Sequence, residues 1–117
     1  MTDETKRKPL GNTTILLIEP IEGPGTSKEH PTVPITHVVL RPPKFPDVML
    51  LGEPVAFGRS DGGIVFHSDK EEVIEGYIRR LVIEPKDPAL LAQLGLADTL
   101  QLREAVFDFF KAARQAL

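Results

Sequence analysis

The chain has 117 residues, a length that fits one domain, 1–117, and leaves little room for a second hydrophobic core. With 41% hydrophobic and 26% charged residues it has the composition of an ordinary folded protein, and its formal net charge of -3 disfavours a broad binding surface for nucleic acid or anionic lipid. Cysteine is absent, which excludes disulfides, thiolate metal ligands and a cysteine nucleophile.

Residues 1–12 are predicted to form a flexible tail. The start, Met1–Lys8, is polar, and no apolar segment of the kind found in a secretory signal follows it. No run approaches the roughly 18 apolar residues of a membrane helix. We therefore expect a cytoplasmic protein that does not bind or cross a membrane.

Two strands are predicted in the first third of the chain. Thr13–Ile18 and Thr36–Arg41 are short apolar runs rich in β-branched residues, and each is closed by proline soon after. Between them, Glu22–Pro31 has the composition of turns and no apolar periodicity. We expect this segment to be a flexible loop that proteases cut first.

A hairpin is predicted next. Pro54–Arg59 and Ile64–His67 flank Ser60–Gly63, whose Asp-Gly and Gly-Gly pairs supply the positive φ angles of tight turns. The glycines also resemble a phosphate loop, but the Lys-Ser/Thr pair of such loops is missing and a strand follows in place of a helix. A turn is therefore favoured.

The second half changes to helical spacing. Apolar residues recur at helical intervals from Asp69 to about Ile83, Ser68 with Glu71 fits a capping box, and Glu84-Pro85 ends the helix.

Two further helices are predicted. Asp87 followed by proline predicts the N-cap of a helix of about two turns, with Gly95 as its stop. Asp98 with Gln101 repeats the capping-box pattern at the start of a last helix that runs close to Leu117. The expected fold class is α+β: a small antiparallel sheet of about four strands, including the hairpin, followed by three helices.

No catalytic, cofactor-binding or metal-binding residues are predicted. His30, His37 and His67 do not show the spacing of metal ligands, and the glutamates that begin the first helix lie among lysine and arginine, which favours surface ion pairs. A catalytic triad built from distant residues would leave no local signature. A small enzyme or ligand-binding domain therefore stays an alternative.

The last helix has two apolar faces. The broader one is typical of a core stripe and comprises Leu102, Ala105, Val106, Phe109, Phe110, Ala113 and Leu117. Leu100 and Phe107 lie on the opposite side, among Arg103, Lys111 and Arg114. We interpret these five residues as candidate partner-binding residues. The alternative is that another element of the same domain packs on them.

A set of short motifs, spread over residues 14–113, has a recognisable order. They are Glu19-Pro20-Ile21, Leu40-Arg41-Pro42, Asp47, Tyr77–Leu81, Leu90–Leu94, Ala97-Asp98 and Ala105–Phe110. In this order the chain resembles the tail assembly chaperones of Mu-like and related contractile-tailed phages.

This resemblance implies a non-catalytic chaperone without a cofactor, acting in the cytoplasm of a bacterium that carries a phage or prophage. Its implied partner is the tape measure protein, a long and largely helical chain that it keeps soluble while tail tube protein assembles around it; the tail tube protein is a second candidate partner. An uncovered apolar helical face would otherwise aggregate. A permanent structural component of the tail or virion is the main alternative. The sequence leaves open whether the chain forms a homo-oligomer.

Overall fold

A computed structural model describes residues 10–54, 56–60, 63–67 and 71–117, and for 56–60 and 63–67 it describes the backbone. The elements in chain order are β1 (Thr13–Pro24), β2 (Thr32–Leu40), α1 (Phe45–Leu51), β3 (Ala56–Ser60), β4 (Gly63–His67), α2 (Glu71–Leu81), β5 (Val82–Glu84), a 3-10 helix (Pro88–Gln93) and α3 (Leu96–Gln115). The strands form an antiparallel sheet of order β1-β2-β5 and a separate antiparallel pair, β3-β4.

The predicted α+β class is confirmed. The described residues form five strands in two sheets, where about four were expected. The additional strand is β5, which was predicted as the end of the first helix. Its residues leave the helix because they pair with β2, with Leu40 opposite Val82 and Val39 opposite Glu84.

Helix α1 was not predicted. Pro46 lies in the first turn of the helix, where proline is tolerated because the backbone N–H groups there have no partner within the helix. Gly52 ends α1 with a φ of 76°, in the left-handed region that glycine adopts without strain.

The loop between β1 and β2 is shorter than predicted. Strand β1 continues through Pro24, so the loop covers only 25–31 of the predicted Glu22–Pro31, and Ile21 is buried opposite Ile35. The Gly25 N–H donates to the Pro31 carbonyl oxygen over 2.8 Å and closes the turn. Burial of Ile21 therefore outweighed the turn-forming composition of the segment. The expected flexibility of the loop stays a prediction.

The antiparallel pairing of β3 with β4 confirms the hairpin. Several of the predicted features lie wholly or partly outside the described residues. They are most of the N-terminal tail, Val55 in the first hairpin strand, the hairpin turn residues Asp61 and Gly62, the helix-capping Ser68 and the predicted helix start at Asp69.

One face of the three-stranded sheet packs against α2 and α3 to form the core. Its buried side chains are Ile15, Val38, Leu40, Tyr77, Leu81, Val82, Leu102, Ala105, Val106, Phe109 and Phe110. Five of them come from the predicted stripe of α3, which confirms that stripe up to Phe110. Ala113 and Leu117 are exposed, so the last turn of α3 lies outside the core.

The helix caps differ in part from the prediction. Asp87 caps the 3-10 helix as expected, accepting a hydrogen bond of 3.0 Å from the Ala89 N–H. Gly95 does not end that helix but serves as the N-cap of α3. Asp98 therefore lies within the first turn of α3, and its side chain accepts hydrogen bonds from residues outside the helix. None of the helices in the described part of the chain is long and apolar enough to cross a membrane.

Candidate partner-binding surfaces

The predicted binding residues lie along the outer side of α3. Leu100 is 53% exposed, Lys111 is exposed and Phe107 is half-buried. Leu96, which sequence reasoning passed over, extends the same side by one turn and is also exposed. The apolar part of this surface is therefore concentrated at the start of α3.

Two of the predicted residues take part in ion pairs within the chain. Arg103 binds both carboxylate oxygens of Glu71 on α2, and Arg114 binds Glu53, which follows α1. The hydrogen bond from Arg103 lowers the pKa of Glu71 and raises the pKa of Arg103 itself. Both arginines thus connect α3 to neighbouring elements.

A groove with a volume of about 380 Å³ runs between α2, the 3-10 helix and α3. Apolar side chains form much of its lining: Ile74, Ile78, Pro88, Ala89, Leu91, Ala92, Leu94 and Leu102. Charged side chains also line it, among them Glu72 and the Glu71–Arg103 pair, which joins α2 to α3. The combination of an apolar interior and a charged rim is typical of a protein-binding groove.

Helix α1 buries its one charged residue. The side chain of Asp47 accepts hydrogen bonds from Arg41 Nη1 at 2.8 Å and Nη2 at 3.0 Å, and from the Lys44 backbone N–H at 2.8 Å. Arg80 Nε on α2 also donates to it. The paired Arg41 guanidinium, with these other donors, holds the pKa of the carboxyl well below its usual range.

This cluster has a structural role. It joins the end of β2, the start of α1 and the end of α2 through Arg41, Asp47 and Arg80. The three residues belong to separate motifs of the sequence, and the structure brings them together. Their separation of up to 39 positions gave no local signal of this contact.

The outer face of α1 is apolar. Phe45 is 75% exposed, Met49 65% and Leu50 66%. The inner face consists of Val48 and Leu51, which pack against the core, and of buried Asp47. This surface was missed because the sequence did not indicate a helix here.

Asp98 is the second buried acid among the described residues. Its carboxylate accepts hydrogen bonds from the backbone N–H groups of Ile18 at 2.8 Å and Glu19 at 3.0 Å, and from the Gln101 side chain at 2.8 Å. These bonds, the one from Ile18 first, lower the pKa of Asp98. The capping-box pattern correctly paired Asp98 with Gln101, but the pair binds β1 and does not cap α3.

The hydrogen bonds that Asp98 accepts coincide with an irregularity in the sheet. The pairing of β1 with β2 shifts register between Leu16 and Ile21, and Ile18 and Glu19 lie within that interval. Asp98 satisfies their N–H groups in place of β2. Both buried acids are therefore engaged in holding the fold.

No family model, curated protein or solved structure matches the chain. Its function is therefore inferred from the surfaces described above and from the resemblance that its motifs carry.

Proposed function

We propose that the chain is a phage tail assembly chaperone, which binds the tape measure protein in the cytoplasm of the host and keeps it soluble until the tail tube encloses it. The groove between α2, the 3-10 helix and α3 carries this proposal. Its apolar interior suits the apolar face of a helix, and a largely helical partner supplies such a face. The exposed Leu96 and Leu100 extend the apolar area beyond the groove.

The groove can be tested by filling it. Ala92 is exposed and lines the groove from the 3-10 helix, so Ala92→Trp adds bulk there without removing a core side chain. Ala113 is exposed on the last turns of α3 and does not belong to the groove lining, so Ala113→Trp is the matched control.

Each variant is co-expressed with the tape measure protein from the same genome, and the recovered soluble complex is quantified. We expect Ala92→Trp to reduce recovery by about tenfold, as loss of a binding hot spot does, while its melting temperature stays close to that of the wild type. Ala113→Trp should behave as the wild type. Equal recovery with both variants would contradict binding in the groove.

A small-molecule binding domain is the second candidate, because the volume of about 380 Å³ falls within the range of ligand pockets. It predicts that the chain alone leaves the tape measure protein insoluble. A structural tail component is distinguished by its presence in purified phage particles, from which a chaperone is expected to be absent.

A further inference from the structure

The charged and apolar side chains of helix α1 are placed the opposite way from those of an ordinary surface helix. A surface helix normally places apolar side chains towards the core and charged ones towards water. In α1 the charged Asp47 is 1% exposed, while Phe45, Met49 and Leu50 are each exposed by about two thirds or more. The seven-residue helix therefore presents its largest apolar side chains to the outside.

Packing within the described chain does not require this arrangement. Val48 and Leu51 already supply the apolar contacts of α1 with the core, and the arginines fix Asp47. Polar residues at positions 45, 49 and 50 would meet the same internal requirements. Contiguous exposed apolar side chains of this size mark interaction sites on proteins.

The charges near the start of α1 indicate the chemistry of the partner. Arg41 and Arg80 both pair with the single carboxylate of Asp47, and Lys44 is the exposed residue immediately before α1, so three cationic residues and one acid leave an excess of positive charge at this end of the helix. Asp47 is buried, whereas Lys44 is exposed and the two arginines are partly exposed, so an approaching molecule meets the cations first. At the other end of the helix, Glu53 is paired with Arg114.

We propose that the outer face of α1 is a docking surface for an acidic amphipathic helix of a partner protein. Its apolar side covers Phe45, Met49 and Leu50, and its Asp and Glu residues face Lys44 and the exposed parts of the two arginines.

This surface lies on a different side of α2 from the groove. Helix α1 approaches α2 at Gly76, where an added Cβ would lie 2.9 Å from Leu51 Cδ2. The groove is lined by Ile74 and Ile78, each two positions from Gly76 and therefore about 200° away around the helix. The proposal is thus independent of what binds in the groove.

A pair of synthetic peptides tests the proposal. One is an amphipathic helix with leucine on one face and glutamate on both flanks, and the other has lysine in place of every glutamate. Each carries a fluorescent label, and its binding to the full chain is measured by anisotropy. We expect the glutamate peptide to bind about tenfold more tightly or better, with a preference that weakens as salt is added.

Matched variants locate the binding site. Met49→Ser/Leu50→Ser should weaken binding of the glutamate peptide by about tenfold with little change in melting temperature, because both side chains are exposed. Leu117→Ser removes another exposed leucine and should bind as the wild type. Lys44→Gln should reduce the preference for the glutamate peptide.

Four results would overturn the proposal. The first is that the lysine peptide binds equally well or better, and the second is that the Met49/Leu50 variant binds as the wild type. The third is loss of binding in Ala92→Trp, which would place the peptide in the groove. The fourth is that the same face serves another occupant. The chain would then bind phosphatidylglycerol vesicles, or two copies would associate in sedimentation velocity, and the Met49/Leu50 variant would abolish that binding or association. None of these measurements uses the tape measure protein, so their outcome does not depend on whether the chain binds it.

Discussion

Helix α1 and the part of α3 from Leu102 onward divide their polar and apolar residues in opposite ways. In α3, Leu102, Val106 and Phe109 are buried and the charged residues of the outer side lie in water or in partly exposed ion pairs. In α1 the charge is buried and the large apolar residues are exposed. The hydrophobic effect therefore dominates the packing of this part of α3, whereas α1 depends on hydrogen bonds to one carboxylate as well as on the packing of Val48 and Leu51.

This difference has a consequence for stability. Truncating the large apolar residues that anchor α3 should reduce the stability of the protein. In α1, neutralising the charge of Asp47 should do so. Large apolar side chains on the outside of α1 should contribute little to folding and can be reserved for binding.

Phenylalanine truncation should show the largest contrast. Phe110 is buried and its ring meets that of Tyr77 edge to face, with centroids 5.2 Å apart. We expect Phe110→Ala to reduce the free energy of unfolding by about 3 to 5 kcal/mol, the usual loss for a buried phenylalanine. Phe45→Ala removes the same atoms from the exposed face of α1 and should change it by less than about 0.5 kcal/mol. Urea unfolding of both variants measures the difference. A comparable loss in Phe45→Ala would mean that this side chain is covered in solution.

Replacement of Asp47 should have the next largest effect. Asp47→Asn keeps the size of the side chain but leaves two arginines without their counter-charge. Breaking a buried ion pair costs about 3 to 5 kcal/mol, and we expect a value near 3 because both guanidinium groups are partly exposed. Asp108→Asn, an exposed position on α3, is the control and should be nearly neutral.

Asp47→Asn should also change how the free energy of unfolding depends on pH in acid. The pKa values of Asp47 and Asp98 are both held below the ordinary value of 3.8, so the unfolded chain takes up these protons first as the pH falls. The stabilisation is fully present above about pH 5 and is lost progressively as the pH falls towards the folded pKa values. Asp47→Asn removes one of the groups whose pKa is lowered, so its free energy of unfolding should fall less steeply below pH 4. An unchanged slope would show that the pKa of Asp47 is not lowered in the folded chain.

The sequence predicted those parts of the molecule in which local pattern and burial agree. The stripe of α3 from Leu102 to Phe110 was correct because helical periodicity reports an apolar core directly. Strand β5 was missed because Val82 continues the helical pattern of α2, and only pairing with Leu40 makes it a strand.

The candidate site was less accessible to sequence reasoning. The exposed Phe45, Met49 and Leu50 form a surface only once α1 is known to be a helix with Asp47 on its inner side. The groove depends on the approach of three separate elements. Contacts of this kind join residues far apart in the chain, and single-sequence patterns do not report them.

A small effect on stability is expected at Leu100 on the outer side of α3. It is 53% exposed, so Leu100→Ser should change the free energy of unfolding by about 0.5 kcal/mol, most of it from the lower helix propensity of serine. Phe107→Ser, at a half-buried position, should lower the free energy of unfolding by more than Leu100→Ser does. Thermal melts of the two variants measure these changes.

The binding assay then decides what this side of α3 does. If Leu100 and Phe107 contact the tape measure protein beside the groove, Leu100→Ser reduces recovery of the soluble complex while its melting temperature stays near that of the wild type. Phe107→Ser reduces recovery as well, but its own loss of stability must be subtracted, which makes Leu100→Ser the cleaner probe. A Leu100→Ser protein that melts early would indicate that Leu100 is packed internally. One that melts normally and still solubilises the tape measure protein would remove Leu100 from the binding surface and leave the groove as the candidate site for that partner.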